Sequence, residues 1–359
     1  MTNKQRVWKA IDGEACENPA SQIDYTPLTE IKICKAYSLD EDKLFSFSNN
    51  CIRYVYTLGN VEEYFNKDIP WDERHKLAIE KKCAIFDGER RFVFDAFGVG
   101  WNYDSEGVNT EVHPLADMGN YSGYHWPVPD SDIMPFAKST VEMYGASDFM
   151  LGFQHIGLFE RSWAIRGYNN FMCDLLLEPD FVNEMLDNVL EYKLAEAAQY
   201  VAAGVDAVRI GDDWGLQNNL QISPELWRKF LKPRYSKLYS FYKSHNLPII
   251  QHSCGAIIDI VPDLIEIGVD VLHPIQPLGM DLNKLMDISR GRLTLWGGID
   301  TQHLLPFETP EKIREEVKRT KNLLGCGNRY IAAPSQEIMS NVPPENIYEL
   351  IKIWSPCRD

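Results

Sequence analysis

The sequence predicts an α/β protein built as a (β/α)8 TIM barrel with an irregular N-terminal extension, and three observations carry that expectation. From about residue 146 onward, short and continuously apolar runs alternate with helical stretches, the pattern of parallel strands covered on both faces. Six such runs fall in this part alone. The Gly-rich turn of a dinucleotide-binding open sheet is missing, which favours closing the strands into a barrel through right-handed crossovers.

Taken in order, residues 1–145 are expected to form the extension and the first barrel elements, and 146–359 the main part of the barrel, one domain overall because no linker-like stretch divides them. The extension is aromatic-rich, with Trp71, Trp101 and Trp126, and reads as strand over Arg91–Val99. Phe149–Phe153 opens the regular part, followed by helical sequence from about Tyr168 to Ala203 and a strand over Asp206–Ile210. Ser223 as N-cap and Pro224 at the first helical position start a helix that runs to about Ser244. Leu247–His252 is the next strand, and Ile257–Ile267 a helix closed by Gly268. Val269–Leu272, a short helix near Leu282–Ser289, Leu293–Trp296, a helix over Pro310–Leu324 and Tyr330–Ala333 complete the series. Pro343-Pro344-Glu345 opens a final helix.

Composition narrows the function classes. The 359 residues carry 36 Lys+Arg against 52 Asp+Glu, a net charge of −16, so no basic footprint for nucleic acid or an anionic membrane exists. The eight cysteines are spread over the whole chain, unlike a disulfide-stapled secreted domain. The first residues lack the apolar core of a signal peptide, and no apolar run reaches the ~20 residues of a membrane span. A cytoplasmic protein is expected.

A barrel of this kind keeps its chemistry at the C-terminal strand ends. Six consecutive strand ends here carry polar groups: Glu160 and Arg161; Asp212 and Asp213; His252 and Cys254; His273; Asp300; and Ser335, Gln336 and Glu337. His252 and Cys254 are the sharpest pair, because alternation turns both side chains to one face, and imidazole and thiolate are preferred zinc ligands. The plainer reading makes His252 a donor to a backbone carbonyl and Cys254 a small buried apolar group. Asp212 and Asp213 equally suit a capping role, and Glu160 a surface pair with Arg166.

The segments Gly211-Asp212-Asp213-Trp214-Gly215, Gln251-His252-Ser253-Cys254-Gly255, Pro274–Pro277, Trp296–Asp300 and Pro343–Asn346 resemble, in order, those of the uroporphyrinogen decarboxylase superfamily. The resemblance implies a (β/α)8 barrel and two branches of activity, metal-independent porphyrinogen decarboxylases and zinc-dependent methyltransferases that serve a corrinoid protein. The arginine-rich N-terminal motif of the decarboxylases is missing, whereas the methyltransferase H-x-C-G motif is present as His252, Cys254 and Gly255. The cysteine that supplies the third zinc ligand in that branch falls at Gln336, so Glu337, Asp213 or Glu160 is expected to complete the set with oxygen. Such a site acts as a Lewis acid toward an ether or amine donor, with Asp212, Asp213 and Glu160 as catalytic carboxylates. The resemblance thus implies methyl transfer from a small donor, such as a methoxylated aromatic or a methylated amine or thiol, to the Co(I) of a separate corrinoid protein. A decarboxylase and a non-catalytic ligand-binding barrel are the competing readings.

Overall fold

The computed structural model describes residues 1–56, 69–88, 90–104, 106–130 and 134–354. Its strands are β1 (Ile52–Val55), β2 (Ile85–Asp87), β3 (Arg90–Phe94), β4 (Gly100–Asp104), β5 (Gly107–Val112) and β6 (Phe149–Gln154) in the first half. The second half adds β7 (Ala207–Gly211), β8 (Ile249–His252), β9 (Val271–Ile275), β10 (Thr294–Ile299) and β11 (Tyr330–Pro334).

Seven of these form one parallel sheet in the order β1-β6-β7-β8-β9-β10-β11. β7 to β11 are buried at every position, as strands covered on both faces must be. Of the expected eight-stranded barrel, the described residues show a curled parallel sheet of seven regular strands. Where an eighth would lie, residues 20–25 run between the edge strands. Ser21 bridges Ala332 of β11, and its carbonyl accepts from Cys51 next to β1. The Gln22 side-chain oxygen accepts from the Cys51 and Ile52 amides at 3.3 and 3.1 Å. Single bridges and the side-chain amides of Gln22 and Asn50, the latter binding both the amide and the carbonyl of Ile23, thus replace a ladder.

Several expected elements are divided for identifiable reasons. The stretch expected to be helical over 168–203 is two helices, Tyr168–Leu177 and Pro179–Ala203, because the residue before a proline is pushed out of the helical region. The helix after Ser223 widens into a π-turn over Trp227–Leu231, just before Pro233, whose ring lacks the N–H that a regular helix needs. The Arg91–Val99 run is a hairpin rather than one strand. β3 ends at Phe94, and the Asp95 carboxylate accepts from the Phe97 and Val99 amides to turn the chain into β4.

β2 to β5 form a separate antiparallel sheet with its own small core of Trp71, Ala78, Ile85 and Phe92. The hairpin tip binds back to the main body through Glu106, which accepts from Thr26 and from the Ser340 amide and hydroxyl, the latter two at 2.9 Å. At the other end Arg161 pairs with Asp95 and lies over the Phe97 ring. Among the described residues no helix is long and apolar enough to cross a membrane. The seven described cysteines are free thiols, and Cys357 lies outside the described residues.

Candidate metal centre and active site

β8 ends at His252, and the chain beyond it brings Cys254 back to the same face. Cys254 Sγ lies 3.5 Å from His252 Nε2, and Asp213 Oδ1, from the loop after β7, lies 3.5 Å from the same nitrogen. All three donor atoms fall within 4.8 Å of one another. Ligands about 2.0–2.3 Å from a tetrahedral zinc sit roughly 3.3–3.6 Å apart, so this nitrogen–sulfur–oxygen set fits that ion. Gln336, the residue in place of a cysteine, lays its amide 2.5 Å from Cys254 Sγ and borders the fourth side. Glu337 takes no part in this cluster; the carboxylate brought to His252 and Cys254 is Asp213.

The backbone around the cluster explains the motif. Asp213 Oδ1 also accepts from the Cys254 amide at 2.8 Å, and Ser253 Oγ accepts from the Trp214 amide at 2.9 Å, tying the two loops together. They approach so closely that a Cβ on Gly215 would stand 2.4 Å from the Cys254 carbonyl oxygen, and Gly255 has φ +82°, so glycine is required at both places. Burial and the Asp213 charge hold the Cys254 thiol well above its ordinary value, so a cation is needed to draw out the thiolate.

Asp212 and Glu160 separate into different roles. Asp212 is fully buried. Its oxygens accept from the Phe159 and Glu160 amides at 2.9 and 2.8 Å, from Trp214 Nε1 at 2.9 Å and from Tyr235 Oη at 2.5 Å. It thereby caps the helix Leu158–Arg166 from a neighbouring strand end, in place of Gly157, which has no side chain to do so. Burial nevertheless raises its carboxyl to about 6. Glu160 is raised further, first by burial and then by the charges of Asp213 and Asp212, and its Oε2 is buried with no partner. The surface pair with Arg166 does not form; Arg166 binds Asp174 instead.

Three further residues surround the cluster. Arg209, on β7, is 9% exposed, and its Nη2 lies 2.7 Å from His252 Nδ1. His273 Nδ1 lies 2.7 Å from the same atom. His155, one residue past β6, stands with its ring centroid 6.1 Å from that of His252, and its ring has no hydrogen-bond partner among the described residues. Water reaches this imidazole, yet its setting deep among protein atoms, and the charges of Arg209, Lys193 and Arg161, lower it to about 3. The signal for Arg209 was legible as a lone charge inside the apolar run Val208-Arg209-Ile210; His155 gave none beyond its position after a strand.

Next to Arg209 opens a cavity of about 360 Å³ whose walls include Asp24, Tyr54, Tyr56, Phe153 and Glu337. Burial and the Asp24 charge raise the Glu337 carboxyl. The tryptophans of the extension are not its walls. Trp71 packs in the second sheet's core, and Trp101 donates through Nε1 to Asp95; Tyr54 and Tyr56 supply the aromatic surface instead.

A curled parallel sheet whose strand ends gather titratable and metal-capable groups at one mouth defines the barrel-like class of α/β proteins with chemistry in the strand-end loops. Within that class the chain belongs to the uroporphyrinogen decarboxylase family, whose model matches residues 161–355. It is 24% identical over 260 residues to the uroporphyrinogen decarboxylase of Geobacter sulfurreducens, covering 67% of this chain and 70% of that one. It is 28% identical over 182 residues to the methylcobamide:CoM methyltransferase MtaA of Methanosarcina barkeri, covering 51% of each chain. Its fold is that of a methyltransferase from Methanosarcina mazei, with a TM-score of 0.71 over 99% of both chains at 19% identity. Family members thus include both decarboxylases and methyltransferases.

Proposed function

We propose that the protein is a zinc-dependent methyltransferase that takes a methyl group from a small donor and passes it to the Co(I) of a separate corrinoid protein. The observation that carries this reading is the convergence of Asp213, His252 and Cys254 at spacings that suit a tetrahedral zinc site with a position left for the donor. Bound there, zinc would polarise the donor heteroatom as a Lewis acid. Glu160, raised and with an unpartnered oxygen, protonates that heteroatom as the methyl group leaves. Asp212 fixes Glu160 by holding its amide, and His273 orients the His252 ring by accepting from Nδ1 once Nε2 is a ligand.

The decarboxylase reading lacks comparable support. Among the described residues lining the cavity only Arg53 and Arg209 are cationic, and Arg53 is spent on Asp148 at 2.7 Å. A substrate with many carboxylates needs more, and about 360 Å³ lies at the small end of the ~300–1,000 Å³ typical of small-molecule pockets. The deciding experiment is elemental analysis of the purified protein, together with methyl transfer to a Co(I) corrinoid protein from methoxyarenes and methylamines. Metal-free protein with full activity, or no transfer from any donor, overturns the proposal.

A further inference from the structure

Arg209 is a buried cation with no carboxylate in direct contact, although its charge is felt by Asp213 and Glu337. It makes no ion pair within 4.0 Å among the described residues, its Nε is buried and unpartnered, and its Nη1 reaches only Tyr54 Oη at 3.5 Å. A buried charge left this way is destabilising unless something neutralises it. The guanidinium lies 4.8 Å from the Phe153 ring centroid and 5.7 Å from that of Tyr54, and it borders the cavity that those rings wall.

We infer that Arg209 is the anchor for a carboxylate on the methyl donor, which is a small planar acid lying in the cavity against the packed rings of Tyr54, Tyr56 and Phe153. This inference deepens the activity proposed above and rests on it for the word donor. Three facts select the chemistry. The ring faces that would attract a methylammonium group already face the Arg209 cation, so a second cation is repelled. Glu337 and Asp24 on the same cavity oppose a doubly charged phosphate, whereas a single carboxylate is balanced by one guanidinium. Asp24 is itself occupied by Tyr54 Oη at 2.5 Å and Gln22 Nε2 at 2.9 Å, which leaves the guanidinium for the ligand. Because Arg209 touches His252 directly, an acid seated on it lies one side chain from the metal donors.

The test is equilibrium binding of 4-methoxybenzoate and its neutral isostere 4-methoxybenzamide to the full-length protein by calorimetry, with no corrinoid present. The acid should bind about tenfold to a hundredfold tighter than the amide. Arg209→Gln should erase that preference, and Arg209→Lys should keep part of it, with zinc content measured on each variant in parallel. Equal binding of acid and amide, no binding of either at millimolar concentration, or a preference that survives Arg209→Gln overturns the inference. The readout is binding alone, so a protein that prefers the acid yet transfers no methyl group supports this inference and overturns the activity proposed above.

Discussion

Arg209 Nη2 sits 2.7 Å from His252 Nδ1, and because a guanidinium can only donate, His252 Nδ1 must accept. In the metal-free protein the Nε2 proton therefore faces Cys254 and Asp213, where a metal would bind. Metal entry expels the Cys254 proton and requires the His252 proton to move from Nε2 to Nδ1. His273 Nδ1, at the same 2.7 Å, is the neighbour able to accept from Nδ1–H once Nε2 becomes a ligand.

Wild-type protein is expected to hold one zinc per chain. Cys254→Ser should lose most of it, since the thiolate is the softest ligand present, and His252→Ala should lose it too. Elemental analysis after dialysis against a mild chelator is the check, and full retention in both variants would refute the site.

Glu160→Gln keeps the shape of a buried side chain but removes the acid. Turnover should fall by about 10²–10⁴ with zinc content unchanged. Stability in urea should hold or rise, because a carboxyl disfavoured by burial is gone. Parallel loss of zinc and activity would assign Glu160 to metal binding instead.

Asp212→Ala should behave oppositely, lowering unfolding free energy by about 3 kcal/mol or more, since two amides, an indole N–H and a hydroxyl lose their buried acceptor. Denaturant titration measures this. Wild-type stability with lost turnover would make Asp212 a chemical rather than a holding group.

Gln336→Cys places a thiol beside Cys254 Sγ and should slow zinc loss to a chelator, a thiolate being a far better ligand than an amide. Unchanged release rates under reducing conditions would place Gln336 outside the metal's reach.

The Glu106 latch is pH-sensitive. Burial alone would raise this carboxyl, but hydrogen bonds from Thr26 and Ser340 bring it below its ordinary value of 4.5. A folded value below the unfolded one gives stability that is present above about 4.5 and lost as pH falls through the folded value. Hydrogen exchange in β4 and β5, corrected for intrinsic rates, should therefore quicken at acid pH, and Glu106→Gln should reproduce this at neutral pH. A hairpin insensitive to both would show the latch to be idle.

The repeating half of the chain was legible because strands buried on both faces leave an unbroken apolar signature, and the strand-end rule then located His252, Cys254 and Asp213. The breaks at Pro179 and Pro233 were written in the sequence but submerged by helical periodicity on either side. β1 was not legible: Ile52-Arg53-Tyr54-Val55 carries a charge and a hydroxyl, and its Arg53 is neutralised only by Asp148, far away in the chain. The division of labour between Asp212 and Asp213 was invisible for a similar reason. Adjacent aspartates read alike until one is seen to cap a helix 52 residues earlier in the chain.

The bridging segment 20–25 has an evolutionary consequence. Gln22, Asp24 and Tyr25 border the cavity beside Arg209, yet they are held by isolated bridges at Ala332 and Ile338 and by the Gln22 side chain rather than woven into a ladder. Side chains that face the cavity there can change, while the backbone bridges and the buried Gln22 are kept, without shifting the register of the strands that carry the candidate metal donors. Under the activity proposed above, selection for a new donor molecule can act on these cavity-facing side chains while the transfer chemistry stays fixed, so the wall that chooses and the wall that reacts are free to evolve at different speeds.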